Sequence, residues 1–329
     1  MKVAVVGLGS MGQRRTRLIK QYDSSIEVFG IDTMPERCAE CQEKYGMKTF
    51  ASIPDLVAAE PEVSCIFIST GPLSHNPIIK ECIKYGLHVF TEINLVADGY
   101  EENIAAAKEK GVKLFLSSTF LYRDEVAYIK KACNAAKQGK LNYIYHIGQY
   151  LPDWHPWEDY RNFFIGWKRT NGCREIMGIE LPWLIETFGK VKSVHSVSQR
   201  MTELDIDFDD KYFITLTHED GTQGVLAVDV VCPKAVRYLE VFGENLHLFW
   251  EGNPKALYKF NHDTGEKEFI NTYETFEHMD GYSDNIVENA YVDEMKNFLE
   301  VVNGREQPKY SYEKDLYTIS VMDKIEGIE

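Results

Sequence analysis

Residues 7–12 read GLGSMG, which sets Gly7, Gly9 and Gly12 at the spacing G-x-G-x-x-G directly after the apolar run Lys2–Val6. The pattern is weak alone, but its surroundings sharpen it. Residues 13–21 have helical character, and residues 27–31 form a second apolar run that ends in Asp32, twenty positions beyond Gly12. This is the order of a strand, a turn, a helix and a second strand, in which glycines let the backbone turn tightly and approach a pyrophosphate at the helix N-terminus. Gly7, Gly9, Ser10, Met11 and Gly12 are the candidate pyrophosphate-binding residues. An acid at the end of the second strand accepts the adenosine ribose hydroxyls, and its charge opposes a 2′-phosphate. Asp32 therefore favours NAD over NADP, with Arg37 nearby as a partial offset.

Further apolar runs at 64–69, 87–91 and 112–117 alternate with helical stretches at 77–85 and 100–110. Strands alternating with helices predict a parallel sheet wound on both sides. At the end of the first of these runs stands STGPLSH, where Thr70 and Gly71 are placed to line the nicotinamide ribose. His75 is either a ligand contact or a helix-start residue bonded locally. The next run closes in TEINLV, which sets Glu92 at the mouth of the same site.

At 329 residues the chain has room for two domains. Its 51 acidic residues outnumber 36 basic ones, for a net charge of −15, which excludes a phosphate backbone or an anionic membrane surface as partner. The opening MKVAVVGLGSMG lacks signal-peptide order, and no apolar run approaches the roughly 20 residues of a membrane span, so a cytoplasmic location is expected. Seven scattered cysteines fit reduced thiols. Cys38 and Cys41 form a lone CxxC without a second pair, so helix packing rather than a metal site is expected there.

GLGSMG, Asp32, STGPLSH before a helix and HVFTEINL, taken in order, resemble the glucose-fructose oxidoreductase, inositol dehydrogenase and MocA family. The likeness runs through the late helix, read over 285–302 within AYVDEMKNFLEVVNG and its upstream flank. It implies an N-terminal Rossmann domain, here 1–122. It also implies an α/β domain, here 123–329, with an open, mainly antiparallel sheet that often mediates oligomers and with substrate between the two. The family usually reads Glu-Lys-Pro where this chain has Glu92-Ile93-Asn94. Its second landmark resembles G-G-x-x-x-D-x-G-x-H. In NGCREIMGIELPWLIETFG, alignment on Gly178 puts Ile176 at the aspartate and Glu180 at the histidine, with Glu175 one residue before Ile176. The usual lysine, aspartate and histidine are thus all replaced.

Glu175 and Glu180 lie five residues apart, offset by about 140° on a helix, so they cannot share the centre of one face. Apolar flanks around Glu180 would desolvate its carboxyl group and make it a base; the alternative is structural pairing with an arginine. The segment from Gly148 to Glu175 mixes seven aromatic rings with cations. Such a mixture suits a sugar ring and an anionic group, or else seals an interface. Trp154, Lys168, Arg174, Glu175 and, at the domain junction, Arg123 are the candidate substrate contacts, and His155 is a second candidate base. LPDWHPWEDYR also resembles dehydrogenases associated with bacterial surface-sugar synthesis, which implies a nucleotide sugar or acidic sugar. The expected activity is hydride transfer between NAD and a secondary alcohol of a sugar, with Glu180, His155 and Glu92 as bases in that order. The rivals are a non-redox cofactor-binding protein and an enzyme that uses NAD transiently.

Overall fold

The computed structural model describes residues 1–136, 141–275 and 286–328. By its contacts the chain divides into two compact units, Met1–Ser118 with Tyr291–Leu316, and Thr119–Ala290 with Tyr317–Glu329. The late helix is found over Glu288–Val302; position 285, where its start was read, lies outside the described residues.

In the first unit, β1 (Lys2–Val6), α1 (Ser10–Tyr22), β2 (Glu27–Ile31), α2 (Pro35–Tyr45), β3 (Thr49–Phe50), α3 (Ile53–Ala59), β4 (Val63–Ile68), α4 (His75–Lys84), β5 (His88–Thr91), α5 (Tyr100–Lys110) and β6 (Leu114–Leu116) follow one another. The strands form one parallel sheet in the order β3-β2-β1-β4-β5-β6. Strands buried on both faces need near-continuous apolar sequence, and β1, β4 and β5 have it. Phe67 of β4, Phe90 of β5 and Phe115 of β6 are registered on neighbouring strands. Their centroids are 5.0 and 5.2 Å apart, and Phe298 meets all three edge-on or nearly so. Burying each such ring contributes roughly 2–3 kcal/mol. Order reversal between β1 and β4 leaves the crevice at the strand C-termini where a dinucleotide binds in such sheets.

In the second unit, α6 (Asp124–Ala136), β7 (Asn142–Gly148) and α7 (Gly172–Phe188) precede the strands β8 (Val191–Gln199), β9 (Lys211–His218), β10 (Gln223–Asp229), β11 (Val236–Gly243), β12 (Leu246–Trp250), β13 (Leu257–Phe260) and β14 (Lys267–Phe269). The sheet order is β14-β13-β12-β11-β7-β10-β9-β8, antiparallel throughout except for β7 beside β10. Alternation puts Tyr143, Tyr145 and Ile147 of β7 inward, where Tyr143 stacks on Phe188 of α7 at 4.3 Å and Tyr145 meets Trp183 edge-on at 5.7 Å. The other face bears the exposed Ile144, Val197, Phe213 and Val225. The last helices are α8 (Glu288–Val302) and α9 (Tyr312–Glu326), and no helix of the described residues is long and apolar enough to cross a membrane.

Candidate functional site

The glycine loop of the first unit has the shape its spacing implies. Gly7 adopts φ +86°, where a side chain is strained, and a Cβ there would also press on Thr70 and on the Ser69 carbonyl. A Cβ on Gly12 would lie 1.8 Å from the Gly7 carbonyl oxygen, so α1 approaches β1 closely only with glycine there. Gly9 is different: the nearest group to an added Cβ is the Arg37 guanidinium at 3.8 Å, which leaves its surface open for a ligand. α1 begins at Ser10 with no side-chain cap and no acid in its first turn, so its leading N–H groups are suited to an anion.

Asp32 is buried at the end of β2. Its Oδ2 accepts from the Leu8 N–H at 2.7 Å and its Oδ1 from the Met34 N–H at 2.9 Å, while Arg37 stands 3.8 Å away. These bonds orient the carboxylate and tie the glycine loop to β2. Glycines, helix end and carboxylate together fit a dinucleotide.

Beyond β4 and β5, His75 and Glu92 are both held by protein partners. His75 is buried, with Nε2 2.9 Å from the Thr70 carbonyl and Nδ1 2.5 Å from the Asn94 side chain. Burial lowers its pKa, so the ring is neutral and carries one N–H. The Thr70 carbonyl can only accept, so Nε2 donates to it, and the Asn94 amide must turn its nitrogen toward Nδ1. That orientation also gives Asn94 Nδ2, otherwise buried without a partner, its hydrogen bond. Ser74 Oγ donates within the same turn, 2.7 Å from Thr70 Oγ1 and from the Gly71 carbonyl. His75 thus holds the Thr70 turn in place.

Glu92 is committed as well. Its carboxylate takes a two-pronged pairing from Arg15, at 2.6 and 3.0 Å, and Arg15 also bonds Glu294 at 2.8 Å. Glu294 in turn accepts from Ser117 Oγ and the Ser118 N–H. Arg15 is fully buried and lies over the Phe90 ring at 4.4 Å. Sequence reasoning did not single out Arg15 or Asn94, since a helix arginine and a loop asparagine carry no motif. The segment Glu92-Ile93-Asn94 therefore anchors α1 and the Thr70 turn.

In the second unit Glu180 is 1% exposed and fully partnered. Arg237 bonds Oε1 at 2.9 and 2.8 Å, and the Tyr145 hydroxyl and Trp183 indole N–H each donate to Oε2 at 2.7 Å. This is the arginine pairing that the sequence held as the alternative; to act as a base Glu180 would have to break it. Arg123 pairs with Glu125 at 2.5 Å, donates to the Gly252 carbonyl and lies over the rings of Phe120 and Trp250. Arg174 is paired with Asp323 at 2.7 Å and with Glu326 of α9. Lys168 is exposed beside a cavity of about 420 Å³, but Asp207, Asp209 and Glu326 share that lining with Arg200, so it is a poor anion site.

Glu175 stands apart from all of these. Part of its side chain reaches the surface, yet Oε2 is buried and has no hydrogen-bond partner. Burial without a compensating cation pushes its pKa up to about 8. Gly172 lies three residues earlier, on the same face of α7, and a Cβ there would come within 3.3 Å of the Trp154 ring. His155 sits between aromatic planes, with Trp157 at 5.0 Å and Phe163 at 4.3 Å, and its Nδ1 is 3.5 Å from Glu158. Trp157 itself is 72% exposed.

Comparison with known proteins agrees with this geometry. Residues 1–118 match the model of an oxidoreductase family with an NAD-binding Rossmann fold. The myo-inositol 2-dehydrogenase of Thermotoga maritima is 22% identical over 329 positions, covering 95% of this chain and 91% of the relative. Among solved structures, the WlbA dehydrogenase of Bordetella pertussis, in complex with NADH and UDP-GlcNAcA, has a TM-score of 0.77 at 17% identity, over 99% of this chain and 95% of that one. An oxidoreductase of Agrobacterium radiobacter, in complex with NAD+, L-tartaric acid and magnesium, has a TM-score of 0.83 at 11% identity, over 100% and 96%. Such identities establish likeness of fold.

Proposed function

Because its first 118 residues belong to the Gfo/Idh/MocA oxidoreductases, with their NAD-binding Rossmann fold, we propose that this enzyme transfers hydride between NAD and a secondary alcohol of a sugar, acidic sugar or sugar nucleotide. The observation that carries this reading is Glu175, a carboxyl group with one oxygen buried and unbonded and a pKa near 8. NAD, when bound, supplies the hydride acceptor or donor at its nicotinamide ring. Gly7, Gly9, Ser10, Met11 and Gly12 hold the pyrophosphate, Asp32 the ribose hydroxyls, and Thr70 and Gly71 the nicotinamide side.

An alcohol being oxidised must lose its hydroxyl proton, and a carbonyl being reduced must gain one. Glu175 is protonated at neutral pH and gives that proton to a carbonyl oxygen; in the opposite direction it first ionises and then accepts the proton. Glu180, Arg123 and Arg174 keep their partners and shape the unit around it. Trp154, beside the face of α7 that bears Glu175, offers an apolar platform to sugar C–H groups. The names of the relatives support the substrate class. The exposed apolar face of the eight-stranded sheet supports subunit pairing, and in light scattering Phe213→Glu should shift an oligomer toward monomers.

The test is NADH formation from myo-inositol, UDP-GlcNAcA and a panel of acidic sugars, in the wild type and in Glu175→Gln. Turnover should fall by about 10²–10⁴-fold in the variant with NADH affinity unchanged. A Glu175→Gln enzyme that turns over like the wild type removes Glu175 from the mechanism.

A further inference from the structure

One side-chain cluster on the open face of the eight-stranded sheet has no part in that chemistry. His146 projects from β7, Asp229 ends the parallel neighbour β10, and Cys232 follows in the turn beyond it. His146 Nε2 lies 2.8 Å from Asp229 Oδ2, and Cys232 Sγ lies 3.7 Å from that nitrogen and 3.6 Å from that oxygen. Among the described residues it is the one group of three or more such side chains whose ligand atoms converge this closely.

The surroundings hold the three atoms in place. Asp229 Oδ1 accepts from the backbone N–H groups of Val231 and Cys232 at 3.0 and 2.8 Å, which leaves Oδ2 aimed at His146 and draws the thiol toward it. Gly148 is registered opposite Asp229, and a Cβ there would stand 2.5 Å from Oδ2, so the carboxylate occupies its place only beside a glycine.

A nucleophilic relay does not describe this cluster. In a thiol, imidazole and carboxylate relay the thiol and the carboxylate address different ring nitrogens. Here both address Nε2. Convergence on one ring nitrogen is the arrangement in which a single metal ion replaces a shared proton. Around a tetrahedral zinc ion with bonds of about 2.3 Å to sulfur and about 2.1 Å to nitrogen and oxygen, ligand atoms stand about 3.6 Å apart across sulfur edges and about 3.4 Å across the nitrogen–oxygen edge. The two sulfur edges already have that length, and the third need open only by the difference between a hydrogen bond and a shared ion. Thiolate and imidazole favour Zn2+ over the oxygen-seeking Mg2+ and Ca2+.

We propose that His146, Asp229 and Cys232 form a Zn2+ site of three protein ligands, with the fourth position open to water or an external ligand. In the single chain the His146 side chain is 37% exposed, so an ion reaches the site from the open face before subunits pair on it. This site is independent of the oxidoreductase reading and stands or falls by itself.

The full chain, stripped with a chelator and dialysed, is titrated with Zn2+ against a chromophoric competitor, and separately with Co2+ while thiolate-to-cobalt charge-transfer absorption is followed. One Zn2+ per chain is expected, with affinity reduced more than about tenfold in Cys232→Ala and in His146→Ala. The cobalt band should be present in the wild type, absent in Cys232→Ala, and unchanged in Cys38→Ser, which excludes the CxxC pair. Zinc binding that Cys232→Ala leaves unaltered overturns the proposal. So does a wild-type cobalt complex with no thiolate band, a result that needs no variant to fold.

Discussion

Replacing Glu175 by glutamine should make the second unit more stable, and more so the higher the pH. In the folded chain the carboxyl group keeps its proton up to about pH 8, whereas in the unfolded chain it loses it near the ordinary 4.5. Between those values the folded state holds the extra proton, so stability falls as pH rises. At about 1.36 kcal/mol per pH unit, the interval of about 3.5 units amounts to about 5 kcal/mol. Partial exposure of the side chain screens the charge, which makes that figure a ceiling. Glutamine carries no charge at any pH. The difference between variant and wild type should therefore be close to its baseline below about pH 4.5, grow with pH, and level off above about 8. Urea unfolding at pH 5, 7 and 9 measures it, and tryptophan fluorescence is the right signal because all five tryptophans, 154, 157, 167, 183 and 250, belong to the second unit. An equal difference at pH 5 and pH 9 would falsify the raised pKa and with it the reason for choosing Glu175 as the acid.

The same group sets the direction of catalysis: carbonyl reduction should weaken and alcohol oxidation strengthen as pH rises through about 8, as kcat/KM profiles in both directions would record. Gly9→Ala should leave the melting temperature intact, since an added Cβ meets nothing closer than 3.8 Å, yet weaken NADH binding about tenfold or more in a fluorescence titration. Undiminished binding would move the pyrophosphate away from this loop. Glu180→Gln should cost up to about 3 kcal/mol by leaving the half-buried Arg237 without its counter-charge, and the folded fraction should keep turning over. Loss of turnover at full stability would return Glu180 to the role of base.

The first unit was largely legible because its constraints are local. Each strand buried on both faces is a short apolar run, and the glycine loop and Asp32 sit at fixed offsets from such runs. The two-residue β3 was not read, since an edge strand that short carries no period. In the second unit the sequence identified both glutamates but not which of them is paired. Apolar neighbours along the helix pointed to Glu180 as the desolvated base, whereas the group that answers it, Arg237, comes 57 residues later on β11. Glu175 had less apolar flanks and proves to be the one left without a cation. His146 and Cys232 are 86 residues apart, and no spacing motif joins them.

The pairing of Arg15 with Glu294, and the Phe298 ring set against three strand phenylalanines, also bear on the order in which the chain can mature. Strands β1 to β6 leave the ribosome first, but the carboxylate and the ring that complete their core are made some 175 residues after Ser118. During synthesis the nucleotide-binding unit has to wait, incomplete, while residues 119–290, most of the second unit, emerge. A chain cut after residue 118 should accordingly unfold without a cooperative transition, and a sharp transition in that fragment would show that the returning segment is dispensable. The part of the protein whose sequence is easiest to read is then still unfinished when most of the other part has been made.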